Sequence, residues 1–347
     1  MLYVTTRSRN DAFTAHRTMM YDRAPDGGLF VPMRLPRFER AEIRDLAKKS
    51  FGQNVADILN LFLSGKLSGW DVDMAIGRRP VRFQSMNHKL IVAELWNEMD
   101  QTFSRRLRAL AERIHPDREC IGPHTDWMDI SIRIAMLFGM FGELIRTEQA
   151  SADRPINIAV STGNFAAPMA AWYARQMGLP IGTIICGCNE NSAVWDLLHH
   201  GEMNTDGLAV DTATPECDFV VPPDLERLIY GCCGHEETMQ FWWNCAEGGC
   251  YAPPADAYKA IRQGMFAAVV SDVRLETIIP SVYRTNRYIL DPYAALAYGA
   301  MSDHRARTGS SETVLLLSEK SPMYSACSVA KMMRLDVTEL KKRLSEV

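Results

Sequence analysis

Ile156-Asn157-Ile158-Ala159-Val160 is followed by Ser161-Thr162-Gly163-Asn164-Phe165, an alanine-rich run from Ala166 to Met177, then Gly178 and Leu179-Pro180-Ile181-Gly182-Thr183-Ile184-Ile185-Cys186. The first five residues are a short apolar run bounded by polar residues, the mark of a strand buried in a parallel sheet. The spacing predicts a helix from Ala166 to Met177, closed by Gly178 at its C-terminal cap, and a second strand from Leu179. Strand, loop, helix and strand in that order form a βαβ unit and imply parallel pairing. The fold class expected is α/β, a parallel sheet flanked by helices.

Ser161 to Phe165 forms the loop between the first strand and the helix. A loop opening directly into a helix points backbone N–H groups and the positive end of the helix dipole at one spot. Gly163 lets the backbone come close to an anion there. One reading is a phosphate cradle; the other is a loop whose Ser, Thr and Gly only cap the helix.

Helical and strand patterns continue on both sides. Upstream, a short strand leads to a helix over 10–21, the turn Ala24-Pro25-Asp26-Gly27-Gly28 and an extended exit; helices follow near 40–49 and 55–62. Leu90 to Trp96 reads as a strand and 100–114 as a charged helix ended by His115-Pro116. Trp127 to Ile145 has helical spacing but is apolar on most sides, as in a helix deep in a core. Downstream, helices are expected at 224–230, 236–246, 255–267 and 292–301, and a strand at 313–317.

Composition narrows the function classes. The 347 residues are 47% hydrophobic and 23% charged with a formal net charge of -4, an ordinary globular balance without the basic excess of a nucleic-acid binder. No stretch approaches the ~20 apolar residues that span a bilayer, and the longest candidate, Ile130 to Ile145, is interrupted by Arg133 and Glu143. Met1 to Arg7 lacks the apolar core of a signal peptide. Nine cysteines, an odd number, suit reduced thiols in a reducing, cytoplasmic compartment.

Several groups invite two readings each. Cys232, Cys233, His235, Cys245 and Cys250 lie close enough in sequence to suggest zinc, but no C-x₂-C pair recurs at finger spacing, so buried thiols are the expectation. His199-His200 is read as a helix-end cap rather than a base. Trp242-Trp243 is either a partner patch or an interface or core pair.

The run from Ile156 to Phe165, then Met177-Gly178-Leu179-Pro180-Ile181 and Cys188-Asn189-Glu190-Asn191, resembles the cofactor-phosphate segment of threonine synthase, a pyridoxal-phosphate family of the tryptophan-synthase-β fold. Tyr3-Val4-Thr5-Thr6-Arg7 and Ala24 to Pro32 look like that family's N-terminal signature. Thr125-Asp126-Trp127, Asp224-Leu225-Glu226-Arg227-Leu228 and Leu290 to Tyr298 match in the same order. The resemblance implies pyridoxal-phosphate fold type II, with residues 1–85 an N-terminal α/β extension and 86–347 the main domain. It also implies cofactor contacts from Ser161, Thr162, Gly163, Asn164, Phe165 and Glu319.

Four departures follow from the same alignment. Ser104 stands where the family has its Schiff-base lysine, and a hydroxyl cannot form an imine. Only residues 105–124 stand where the family has a small substrate-gripping domain, well short of the ~50 residues such a domain takes. Ala166 follows the phosphate loop where the family has glycine; its methyl blocks close phosphate approach if that residue needs positive φ. Glu319 stands where a threonine meets the pyridine nitrogen, and the neighbouring Lys320 is the one candidate for a relocated Schiff-base lysine. The expectation is a degenerate threonine synthase-like protein that binds a small phosphorylated ligand or serves a structural or regulatory role. The alternatives are an active pyridoxal-phosphate-dependent lyase acting on O-phosphohomoserine, and a companion subunit of a true enzyme. Loss of a domain uncovers surface, so a homo-oligomer or a complex is expected.

Overall fold

The computed structural model describes residues 1–8, 11–77, 81–98, 101–115 and 126–345. A six-stranded sheet runs Met265–Val269, Ile181–Cys188, Ile156–Ser161, Val314–Ser318, Leu90–Glu94, Arg82–Met86. The first five strands are parallel and the last pairs antiparallel at the edge. The sheet is therefore mixed rather than wholly parallel. Arg82–Met86 escaped the sequence reading because none of its residues is buried, so it carries no apolar run.

Alternation along the strands builds two cores. Leu315 and Leu317 pack into the core that holds the Trp127–Arg146 helix, while Val314 and Leu316 point into the core under the helices Asp272–Asn286 and Pro292–Thr308. Both faces are covered, which explains why these strands read as unbroken apolar runs. At Gly187 the helix comes so close that an added Cβ would lie 2.4 Å from the Leu296 carbonyl.

The Trp127–Arg146 helix is buried nearly all round. It starts where Asp126 accepts the Asp129 N–H (2.8 Å) and is held by Arg108 (2.5 Å). Trp127 is fully buried, with edge contacts to Tyr3, Phe62 and Tyr173 at centroid distances of 5.8, 5.5 and 5.1 Å. Along its length it packs against the Phe51–Leu63 helix, and Gly139 and Gly142 allow close approach to Phe51 and Asn54.

The N-terminal residues form a three-stranded antiparallel sheet, Phe13–Thr14, Leu2–Thr5, Phe30–Pro32. The helix expected over 10–21 is shorter, Ala15–Met20, because Thr14 caps it through Arg17 N while Phe13 pairs with Tyr3 as a strand. In the 24–28 turn Gly27 adopts φ +77 and the Asp26 carboxylate accepts from Gly28 N (2.9 Å) and Thr5 Oγ1 (2.5 Å). The helix expected over 255–267 ends at Arg262; Gly264 (φ +66) turns the chain into the edge strand Met265–Val269. Residues 116–124 of the expected truncated region, and Thr125 of the matching motif, lie outside the described residues. Among the described residues no helix is long and apolar enough to cross a membrane.

Candidate functional site

Two strands end side by side in the middle of the sheet, Ile156–Ser161 and Val314–Ser318. A cavity of about 330 Å³ lies at their carboxyl ends, where open α/β sheets bind ligands. Ser161, Thr162, Gly163 and Asn164 line one wall, Glu319 and Lys320 another. Asp129 and Arg133 enter from the Trp127–Arg146 helix, Tyr293 from the start of Pro292–Thr308, and Glu216 from the short 3₁₀ turn Pro215–Cys217. A larger hollow of about 1000 Å³, lined by residues such as Val31, Pro32, Trp172 and Tyr230, lies elsewhere, and among the described residues no carboxylate lines it.

Six of the residues expected from sequence thus meet in one place: Ser161, Thr162, Gly163, Asn164, Glu319 and Lys320. Phe165 does not line the cavity; it is fully buried beneath the loop. It also carries the backbone strain: φ +75 falls on Phe165 and φ +49 on Gly163, whereas Ala166 is the first residue of the helix Ala166–Gln176. The concern over a methyl at Ala166 with positive φ therefore does not arise. Ser104 sits in the first turn of the helix Phe103–Glu112, its hydroxyl 3.1 Å from that of the capping Thr102, and is not among the cavity's lining residues.

The loop's polar groups largely bond within the chain. Thr162 N–H donates to Gly187 O (3.0 Å) and Phe165 N–H to Thr162 O (2.7 Å). Gly163 N–H donates to Cys217 Sγ (3.3 Å) and Ala166 N–H to Asn164 Oδ1 (3.1 Å). Asn164 O accepts from Asp224 N–H (3.0 Å), which ties the loop to the Asp224-to-Arg227 segment. Arg227 pairs with Asp224 and donates to Phe30 O (3.0 Å), and Glu226 holds Arg7 (2.8 Å) and Thr6 (2.5 Å). Two stretches that matched separately in sequence are thus one buried polar joint between the N-terminal sheet and the cavity loop.

Charges in the cavity are paired. Arg133 bridges Asp129 (3.0 Å) and Glu319; burial pulls its pKa down, but the two carboxylates more than offset this and raise it. Lys320, 8% exposed, pairs with Glu216, and its ammonium lies 3.8 Å from the Tyr293 ring centroid and 4.3 Å from that of Tyr324. Burial alone would raise the Glu216 pKa, yet Lys320 and the Tyr324 hydroxyl (2.7 Å) hold it below its usual value. Below the cavity the carboxylate of Asp291 caps the helix Pro292–Thr308 and accepts from Ser318 Oγ (3.2 Å); burial pushes its pKa up to about 6. Asp129, Arg133, Glu216 and Tyr293 were missed as site residues. Arg133 left a trace as the charge interrupting the apolar stretch Ile130 to Ile145, and Tyr293 as part of the matching stretch Leu290 to Tyr298.

The other ambiguous groups find structural places. Among the described residues no three His, Cys, Asp or Glu side chains converge as a metal site. Burial pushes Cys232 up to about 12 and Cys233 and Cys245 to about 11. His199 and His200 end the helix Ala193–His200, and His199 Nε2 lies 2.8 Å from Ala267 O. Trp242 stacks under Arg7 (5.0 Å), while Trp243 is half exposed.

A sequence pattern described as the threonine synthase N terminus matches residues 2–78. Threonine synthase-like 1 of Homo sapiens is 28% identical over 158 residues, covering 45% of this chain and 21% of that protein. The chain therefore matches about a fifth of the length of those relatives. Threonine synthase-like 2 of Xenopus laevis is 20% identical over 86% of this chain and 83% of the relative. In three dimensions the PLP-bound threonine synthase of Brucella melitensis matches with a TM-score of 0.82 at 18% identity, covering 97% of this chain and 92% of that one. The yeast threonine synthase matches with a TM-score of 0.80 at 17% identity, covering 99% and 94%. Residues 2–78 thus carry the threonine synthase N-terminal pattern, and the fold along the chain is that of the threonine synthases.

Proposed function

We propose that this chain is a threonine synthase-like protein without lyase chemistry, and that its cavity holds a small phosphorylated ligand by charge and hydrogen bonds alone. The observation that carries this reading is the state of the one lysine lining the cavity. Lys320 is clamped by Glu216 and faces two tyrosine rings, so the nitrogen an imine would need is already engaged by three side chains of the chain itself.

The remaining residues do not fit pyridoxal phosphate as a covalently held cofactor. Ser104 offers a hydroxyl and stands outside the cavity lining. Glu319, at the position implied for the pyridine nitrogen, is taken by Arg133. What remains suited to an anion is the helix N-terminus behind Gly163 and Asn164, with Lys320 lining the same cavity. The cavity size suits a small molecule.

Two measurements test the reading. Incubation with pyridoxal phosphate, borohydride treatment and peptide mass mapping should find no adduct on Lys320; an adduct there, or phosphate release from O-phosphohomoserine, overturns it. Pyridoxal phosphate, O-phosphohomoserine and inorganic phosphate are compared by thermal shift, and at least one should raise the melting temperature by mass action. No shift with any of them sinks the binding half.

A further inference from the structure

Glu216 is an unusual residue to neutralise a buried lysine. It sits on a 3₁₀ turn of only three residues, Pro215–Cys217, and its side chain is 52% exposed. Yet it supplies the carboxylate in ion pair with Lys320, whose own side chain is 10% exposed. It accepts the Tyr324 hydroxyl (2.7 Å), and its backbone N–H donates to Tyr293 Oη (3.4 Å). Three groups from elsewhere in the chain thus converge on one residue of a surface turn. Two of them, the Lys320 ammonium and the Tyr324 hydroxyl, converge on the carboxylate itself.

We propose that Lys320 and Tyr324 form an anion site that the chain's own Glu216 carboxylate fills, and that the carboxylate or phosphate of a small-molecule ligand displaces Glu216 when it binds. This inference rests on the binding reading above and names the group that the cavity recognises.

The physical case has three parts. A buried ammonium without a counter-ion is costly, so an anion at this point stabilises the chain. A half-exposed glutamate can leave at small cost, because water resolvates it as it swings out. The site is continuous with the loop wall: Glu216, Lys320, Thr162, Gly163 and Asn164 line the same cavity, so an anion on Lys320 lies beside the N-terminus of the Ala166–Gln176 helix. Gly163 N–H meanwhile donates to Cys217 Sγ, the next residue of the same turn (3.3 Å).

Anion rescue tests this. The melting temperatures of wild type, Glu216→Ala and the double variant Glu216→Ala with Lys320→Met are followed while acetate or inorganic phosphate is titrated at constant ionic strength. Glu216→Ala should melt below wild type and recover with added anion, half-saturating at a concentration at least tenfold lower than wild type needs. The double variant should not respond. Equal anion dependence in wild type and Glu216→Ala, or a double variant that responds like the single one, overturns the proposal. If Glu216→Ala does not fold, Glu216→Gln replaces it, keeps a hydrogen-bond acceptor for Tyr324, and carries the same expectation. The two readings fail separately. A Lys320 adduct sinks the non-lyase reading whatever the anions do; equal affinities sink only the displacement.

Discussion

Arg133 is joined at once to Asp129, one turn back on its own helix, and to Glu319, just past the end of the central strand. One guanidinium thus fixes the Trp127–Arg146 helix to the sheet at the floor of the cavity. It carries two of the carboxylates that line the cavity together with Glu216.

Removing the shared cation should cost more than removing one of its partners. Arg133→Met leaves two largely buried carboxylates without a counter-charge, and a loss of about 3 kcal/mol is expected. Glu319→Gln leaves Arg133 paired with Asp129 and should cost about 1 kcal/mol. Urea unfolding of the two variants decides: equal losses would mean that the arginine does not serve both acids.

The joint at Glu226 makes a second prediction. Its carboxylate receives Thr6 and both Arg7 donors, so Glu226→Ala strands a half-buried guanidinium and a hydroxyl together. A destabilisation of about 3 kcal/mol is expected. Because the N-terminal sheet is anchored here, the amides of Leu2–Thr5 should exchange with solvent faster than those of Ile156–Ser161. Uniform acceleration across both strands would contradict a local anchor.

Much of this arrangement was legible in the sequence for a definite reason. Ile156 to Cys186 announced the parallel sheet because its strands are buried on both faces, so most of their residues are apolar. The cavity loop and the end of the Val314–Ser318 strand were found through motif order. Glu216 and Asp129 were not, because a single acid on a turn or a helix has no periodicity and becomes functional only through its partner. Likewise Arg82–Met86 and the start of Met265–Val269 were hidden, one by exposure and one by the break at Gly264. Ser104 was read from alignment alone, and the structure adds that its hydroxyl faces Thr102.

Close packing supplies a third prediction. A Cβ added at Gly142 would lie 2.4 Å from Asn54 Nδ2 and 2.9 Å from the Leu46 carbonyl oxygen. The carbonyl is backbone, and Asn54 Nδ2 already donates to that same oxygen (2.9 Å), so neither neighbour yields easily. Alanine gains about 1 kcal/mol in helix propensity over glycine. Overpacking costs about 1–3 kcal/mol, and the lost Asn54 bond adds about 1 more. Gly142→Ala should therefore destabilise by about 2 kcal/mol in chemical unfolding; a stabilised variant would mean that the two helices slide apart freely.

Asp291 gives a pH signature with a definite sign. In the folded chain its carboxyl titrates near 6, raised chiefly by burial, while in the unfolded chain it ionises near 4. Between those values the folded state holds the proton and the unfolded state does not, so this group subtracts stability as pH rises from about 4 to about 6, and the loss is complete above that. Asn caps helices as well as Asp and can still accept the Tyr293 and Ala294 N–H bonds, but it does not titrate. Asp291→Asn should therefore gain on wild type steadily between pH 4 and 6, by on the order of 2–3 kcal/mol, and hold a constant advantage above pH 7. Other acids, Asp224 among them, titrate in both proteins and cancel in the difference. Unfolding free energies measured across pH 4–8 check this; a difference that does not change with pH, or one that shrinks as pH rises, would mean that the buried carboxyl is ionised throughout and held by its hydrogen bonds.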